Sequence, residues 1–173
     1  MEDMLSQIRA VLTTTPARWQ QLTGTLPADL LGRAPAKGEW SATDCLKHLL
    51  DTERFVFPAR VHAFMQGQER FAAFDPDARP APAEPPSAAE MAVSFAQART
   101  QNLALLASIA ASDLGRGSVH GELGPVTLGQ MLHEWAAHDL MHTVQAERAL
   151  MQPFIAESGA WQVYFRDHIA RAG

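Results

Sequence analysis

The stretch LHEWAAHDLMHTVQ, residues 132–145, holds three of the seven histidines of the chain. His138 and His142 lie four residues apart, so on an α-helix their imidazoles lie about 40° apart on one face, one turn above the other. A helix can offer two ligands to one metal ion in this way. Roughly 0.3 such pairs are expected by chance in a chain with this many histidines, so the surrounding residues must decide the interpretation.

The composition favours a helical protein without a nucleic-acid or membrane partner. Hydrophobic residues make up 47% of the 173 residues, but valine and isoleucine are sparse and there is one tyrosine. The net charge is −5 and no basic run is present, which argues against binding to nucleic acid. No uncharged apolar run approaches about 18 residues, so we expect no membrane span, and the acidic start without a long apolar stretch makes us expect no secretory signal. The single cysteine, Cys45, excludes an intrachain disulfide, so we expect a cytoplasmic protein.

Apolar periodicity predicts four long helices, a short helical turn and a final short helix. Their predicted ranges are 3–24, 26–32, 42–66, 88–111, 128–151 and 157–171. A proline-rich crossover at 71–87 joins the second and third long helices, and a glycine-rich loop with a small hairpin is expected at 115–127. This pattern predicts an all-α protein, a four-helix bundle, in a single domain over residues 1–173.

Hydroxyl residues and prolines set the predicted helix ends. Three long helices follow a residue that can cap the first turn, namely Ser41, Ser87 and Thr127. Pro16 is expected either to kink the first long helix or to begin a second one. Pro58 should bend the second long helix, and Pro153 should stop the fourth.

The helix at 128–151 divides its polar residues between two faces. With His138 at zero, His142 lies at about +40°, Gln145 at about −20° and Glu134 at about −40°. His133 falls at about −140°, so it cannot share a site with the other two and is predicted to point outward. A metal ion therefore needs its third ligand from another helix.

His48 is the best third ligand, because it lies mid-helix in the other strongly apolar segment. His62 is about 21 Å further along the same helix and is expected to be exposed. His168 is predicted at the surface, and His120 in the glycine-rich loop stays ambiguous. Cys45 lies one turn before His48 and could approach the metal, although a lone helical cysteine usually belongs to the core.

Three imidazoles would leave one to three coordination positions open, as in catalytic rather than structural metal sites. Neutral imidazole suits Zn, Ni, Fe(II), Co and Cu, whereas Ca and Mg prefer oxygen ligands. The acceptors within sequence reach of the imidazole N–H groups are Glu134, Gln145, Asp51, Asp139 and Asp44. Glu134 could instead act as a base toward water at the metal. On spacing alone, a metal site and a purely structural set of histidines both stay open.

Two blocks of the sequence resemble the DinB-like (DinB/YfiT) superfamily. The first is WSATDCLKHLLDTERF, with Trp40-Ser41, a His-Leu pair seven residues after that serine, and Glu53. The second is GPVTLGQMLHEWAAHDLMHTVQ, with its H-x-x-x-H and a glutamine three residues later. The resemblance implies an up-down-down-up four-helix bundle with a long crossover after the second helix. It also implies a metal triad at His48, His138 and His142, with Zn or Ni as the common metals and Fe, Co or Mn as further candidates.

The same resemblance implies several functions. Some members are thiol S-transferases or isomerases that use low-molecular-weight thiols, many have no known activity, and homodimers are common. We therefore expect a metal-dependent thiol S-transferase that joins a cellular thiol to an electrophile in stress response or detoxification, with Glu134 as a candidate catalytic residue. A metal-dependent hydrolase and a non-enzymatic metal-binding protein are the alternatives. A bundle without any site would place His48 more than about 8 Å from both other histidines.

Overall fold

The computed structural model describes residues 2–71 and 84–170, so most of the predicted crossover lies outside the described residues. The helices are α1 (Glu2–Thr25), α2 (Ala28–Leu31), α3 (Ala42–Phe55), α4 (Phe57–Met65), α5 (Ala88–Ala107) and α6 (Leu128–Glu157). The strands are β1 (Arg70–Phe71), β2 (Gly117–His120) and β3 (Gly124–Thr127). Two 3-10 helices cover Ala111–Gly115 and Gly159–Phe165.

The long helices form an up-down-down-up bundle, which confirms the predicted fold. α1 and α6 are parallel, because Thr15 bonds to Asp139 and, further along both helices, Arg18 bonds to Glu147. α3 and α5 run the opposite way, as the antiparallel contacts of α3 with α6 and of α1 with α5 show. Two consecutive helices that run in the same direction need a long return connection, and the proline-rich segment supplies it.

The core consists of two apolar clusters with a polar layer between them. One cluster includes Leu12, Phe57 and Trp135, and the other includes Trp19 and Phe95. Each long helix changes from one cluster to the other through polar residues, and the buried ones are Thr15, Thr52, Glu53, Arg99, Asn102, Asp139, His142 and Thr143. The bundle therefore buries its polar groups at one level, which is where the predicted histidines lie.

The prolines act differently from one another. α1 continues through Pro16, and the Leu12 carbonyl, which a proline at this position leaves without its helical N–H, accepts from Arg99 Nη1 at 2.6 Å. The predicted second long helix is divided into α3 and α4 by Val56, and Pro58 lies in the first turn of α4.

Two predictions for the C-terminal region are wrong. α6 continues past Pro153 to Glu157, although a proline at this position leaves the Ala149 carbonyl without its helical N–H. The predicted helix at 157–171 is only a 3-10 helix over Gly159–Phe165. None of its residues is buried, so the segment lacks the packing that stabilises a longer helix.

A small sheet covers one end of the bundle. β2 and β3 form the antiparallel hairpin expected in the glycine-rich loop, and β1 adds to β2 in parallel, with Phe71 opposite His120. The sequence reading did not predict β1. Within the described part of the chain, no helix has the length and apolar character needed to cross a bilayer.

Candidate metal centre

Capped helices position the three histidines. The Ser41 hydroxyl accepts from the Asp44 N–H, and the Asp44 carboxylate accepts from the Ser41 N–H, so α3 begins with a capping box. His48 follows two turns later. α6 begins with the same arrangement between Thr127 and Gln130, and the predicted cap Ser87 does the same for α5. All three predicted caps are therefore confirmed.

The structure brings together the three histidines that the sequence selected. One ligand nitrogen from each of His48, His138 and His142 lies within 4.8 Å of the others. The Nε2 atoms of His48 and His138 are 3.0 Å apart although 90 residues separate them in the chain. A bundle without a site required a distance above about 8 Å, so that alternative is wrong for this cluster.

Burial keeps these imidazoles neutral. Burial, together with the neighbouring His142, lowers the pKa of His48 to about 4 and that of His138 to about 3. Burial also lowers the pKa of His142, while the bond to Gln145 and the charge of Asp139 oppose this shift. Unprotonated imidazole is the form that binds a transition metal.

A hydrogen bond to one of the rings leaves a nitrogen lone pair directed at the shared centre. His142 Nδ1 donates to Gln145 Oε1 at 2.8 Å, so its Nε2 is the unprotonated nitrogen. This bond agrees with the predicted orienting role of Gln145. His138 Nδ1 is buried and has no hydrogen-bond partner among residues 2–71 and 84–170. An all-nitrogen donor set of this kind fits a divalent transition metal and does not fit Ca or Mg.

Two aromatic side chains line the centre. The ring of Trp40 is stacked on His142 at 5.6 Å and also contacts His48 at 5.1 Å, and 39% of this tryptophan is exposed. Phe57 contacts His138 edge-on at 5.4 Å. The histidines therefore have an apolar wall on the buried side and an exposed indole at the surface.

A fully paired ionic network lies in the same polar layer. Arg99 makes a two-bond contact with Glu53, at 2.7 and 2.8 Å, and a second with Asp139, at 2.8 and 3.0 Å. Glu53 also accepts from Asn102 and Trp135. All three charged side chains are only 1% exposed. Burial by itself would lower the pKa of Arg99, but the two carboxylates raise it overall.

The other predicted acceptors have different partners. Asp139 bonds to Arg99 and Thr15 rather than to a histidine, and Asp51 pairs with Lys47 at 3.2 Å. Asp44 is used in the cap of α3. Cys45 is completely buried in the apolar core, where burial raises the pKa of its thiol to about 12, so the expectation of core packing is confirmed.

Glu134 lies one turn before His138, and it makes no bond to the three histidines within the described part of the chain. Its side chain is exposed overall, but the protein near its carboxyl raises its pKa by desolvation, and Arg60 opposes that shift. A carboxyl with a raised pKa can accept a proton near neutral pH. The catalytic role predicted for Glu134 stays a prediction.

Of the other four histidines, three are exposed and one is buried. His133, His62 and His168 are exposed, as predicted. The ambiguous His120 is 8% exposed, and its ring lies 3.2 Å from Arg60.

Trp40, Arg60 and Arg99 also belong to this region, which the sequence did not predict. Arg99 did carry a signal, because it lies on the same helix face as Phe95, where a charge indicates a buried partner.

The sequence pattern of the DinB superfamily matches residues 12–146, a range that includes α3, α5 and all three clustered histidines. The chain belongs to the DinB superfamily. Its fold is similar to that of YfiT from Bacillus subtilis, a probable metal-dependent hydrolase with an unusual four-helix bundle topology. That match has a TM-score of 0.74, with 16% identity over 89% of each chain. No curated protein matches this DinB superfamily chain.

Proposed function

We propose that this DinB superfamily protein is a metal-dependent enzyme that transfers a low-molecular-weight thiol to an electrophile. The observation that supports a metal is the convergence of three neutral imidazoles, from two helices, within 4.8 Å. Zn or Ni is the proposed metal, with Fe, Co or Mn as alternatives. A divalent metal at this place would act as a Lewis acid and lower the pKa of a thiol or a water that it binds.

Two features of the protein favour a cation at the histidine cluster. Gln145 fixes the tautomer of His142, so that the Nε2 lone pair is available without rearrangement. Arg99, Glu53 and Asp139 together carry a formal charge of −1, and this buried negative charge favours a cation in the neighbouring histidine cluster.

The exposed side of the centre suits an organic ligand. Trp40 offers an indole face that is partly open to solvent, and it contacts both His48 and His142. An apolar thiol or electrophile can pack on this face while its reacting atom lies at the histidines. The proposed reaction is a detoxification or stress response in the cytoplasm, and we expect a homodimer.

The first experiment measures metal and activity together. The purified protein is analysed for bound metal and then assayed with glutathione, mycothiol and bacillithiol against chlorinated and epoxide electrophiles. We expect about one divalent ion per chain and thiol consumption that stops when the metal is removed. Metal binding without turnover of any thiol would support the non-enzymatic alternative, and an intact protein that takes up no metal would contradict both.

Hydrolysis is the second candidate, and Glu134 favours it. A carboxyl with a raised pKa, one turn from His138, can take a proton from an attacking water. If the reaction is hydrolysis, Glu134→Gln should lower kcat by about 100-fold or more, which is the usual contribution of a general base. If a thiol is the nucleophile, the same variant should keep most of its activity. Glu157→Gln, at the exposed end of α6, is the control for loss of a carboxylate.

A further inference from the structure

Arg60 is a half-buried cation that forms no ion pair in the described part of the chain, although Glu134 is near enough to act on its pKa. Arg60 lies on α4, and no carboxylate of residues 2–71 and 84–170 approaches its guanidinium within ion-pair distance. Its guanidinium lies 5.5 Å from the ring centre of Phe71. A partly desolvated guanidinium needs an acceptor for its N–H groups, and a π-face satisfies that need only weakly.

The backbone fixes the tautomer of His120. Its Nδ1 accepts from the N–H groups of Glu122, at 3.1 Å, and Leu123, at 3.3 Å. A backbone amide nitrogen can only donate, so Nδ1 must be unprotonated. In a neutral imidazole the proton then lies on Nε2, which makes Nε2 a donor.

The Nε2–H group of His120 points at a nitrogen of Arg60, which is also a hydrogen-bond donor. His120 Nε2 lies 3.2 Å from Arg60 Nη2. Guanidinium nitrogens never accept, and His120 Nε2 could accept only as an imidazolate, so the two nitrogens do not hydrogen-bond to each other. His120 is more than nine-tenths buried, and bulk water therefore does not simply satisfy it. Two N–H groups from separate elements, β2 and α4, therefore converge on one point.

The pair lies beside the histidine cluster. Phe57, whose ring contacts His138, is three residues before Arg60, so the two side chains lie on the same side of α4, about 4.5 Å apart along the axis. Glu134 is one turn before His138 on α6. Because α4 and α6 run in opposite directions, Arg60 faces the turn of α6 that carries Glu134. The charge of Arg60 also lowers the pKa of His138, so the guanidinium lies within electrostatic reach of the histidine cluster.

We propose that Arg60 and His120 form a carboxylate-binding subsite beside the histidine cluster, which holds the substrate through a carboxylate group. The two N–H groups can each donate to one carboxylate oxygen, as in paired contacts of arginine with carboxylates. The subsite carries one positive charge, which matches a carboxylate better than the nearly doubly charged phosphate, and the neighbouring Glu134 disfavours further negative charge. That the ligand is the substrate rests on the proposed function, but the binding of a carboxylate at this subsite does not.

Calorimetry with succinate and with inorganic phosphate tests the subsite in the full-length protein, with and without metal. Arg60→Gln should weaken succinate binding about tenfold or more, since it removes a charged hydrogen bond. Arg54→Gln is the matched control, because Arg54 is an exposed arginine at the end of α3, and it should leave succinate binding unchanged. Equal affinity of Arg60→Gln and the unaltered protein would overturn the subsite. Tighter binding of phosphate than of succinate would overturn its assignment to carboxylates.

Nitrogen NMR of the histidines tests the tautomer independently, with His120→Asn used to assign the signal. We expect the proton of neutral His120 on Nε2, and a proton on Nδ1 would remove the second donor and overturn the proposal. His138→Ala separates this inference from the proposed function. If that variant loses metal but binds succinate normally, the subsite stands by itself. Normal metal binding in a protein that does not bind succinate would contradict the subsite and leave the metal site unaffected.

Discussion

The Arg99 network and the histidine cluster lie at one level of the core. The buried polar groups of the first are all paired, whereas those of the second are not. In the network of Arg99, Glu53 and Asp139, opposite charges meet with short hydrogen bonds, and all three side chains are 1% exposed. In the histidine cluster, like groups face each other at 3.0 Å and a buried ring nitrogen has no partner. A buried polar network that is complete stabilises a fold, whereas an incomplete one costs stability unless a ligand completes it. The three converging ring nitrogens make the histidine cluster the part of this layer that can bind a ligand.

The largest effect is expected from breaking the complete network. Arg99→Ala leaves two carboxylates buried without a counter-charge, which should lower the free energy of unfolding by about 3–5 kcal/mol. Urea unfolding followed by circular dichroism measures this loss. Arg18→Ala removes an exposed ion pair with Glu147 and should cost less than about 1 kcal/mol. Equal costs for the two variants would contradict a structural role of the network.

The second effect separates ligand binding from folding. His138→Ala removes one of three converging nitrogens and should weaken binding of Zn or Ni by at least about 100-fold, with the helical signal retained. His133→Ala changes an exposed histidine of the same helix and should bind metal normally. Metal titration with a competing chelator measures both. Equal losses in the two variants would show that the metal binds elsewhere.

A smaller effect is expected from the residue that orients His142. Gln145→Ala removes the acceptor at 2.8 Å from Nδ1, so the ring can rotate and change tautomer. Loss of such an orienting group typically costs about 10–100-fold in metal affinity. Gln101→Ala, an exposed glutamine on α5, is the control. Unchanged affinity in Gln145→Ala would mean that the packing against Trp40 alone holds the ring.

The last effect is the pH dependence of the metal-free protein. The pKa values of His48 and His138 are about 4 and 3 in the folded state, against 6.5 for an ordinary histidine, chiefly because of burial. Below pH 6.5 the unfolded chain therefore binds protons that the folded chain does not, and stability falls as the pH drops toward 4. Thermal unfolding at several pH values should show this decrease. The decrease should be shallower in His138→Gln and unchanged in His62→Gln, since His62 is exposed.

The sequence predicted those features that depend on local patterns. The starts of the long helices follow from hydroxyl caps, and all three capping boxes are present. The histidine pair follows from helix periodicity, and His48 was found because a histidine amid apolar residues mid-helix is unusual. The same local reasoning failed at Pro153, because α6 tolerates the loss of the one helical hydrogen bond that the proline removes.

The ionic network could not be found in the same way. The partners of Arg99 lie 46 and 40 residues away, on two other helices, so no local spacing connects them. Asp139 was read as a partner of the histidines, but in the structure it bonds to Arg99 and Thr15. Which of two neighbouring polar groups a carboxylate contacts depends on helix packing, and a single sequence does not reveal the packing.

The 90 residues between His48 and His138 also have a kinetic consequence. A shared ion would close a loop that contains the second half of α3, all of α4 and α5, the sheet and the start of α6, and the entropic cost of that closure is paid when α3 docks on α6. The full set of ligands exists only after this docking, so metal uptake belongs to the end of folding. A saturating metal should therefore slow the unfolding rate and leave the folding rate unchanged.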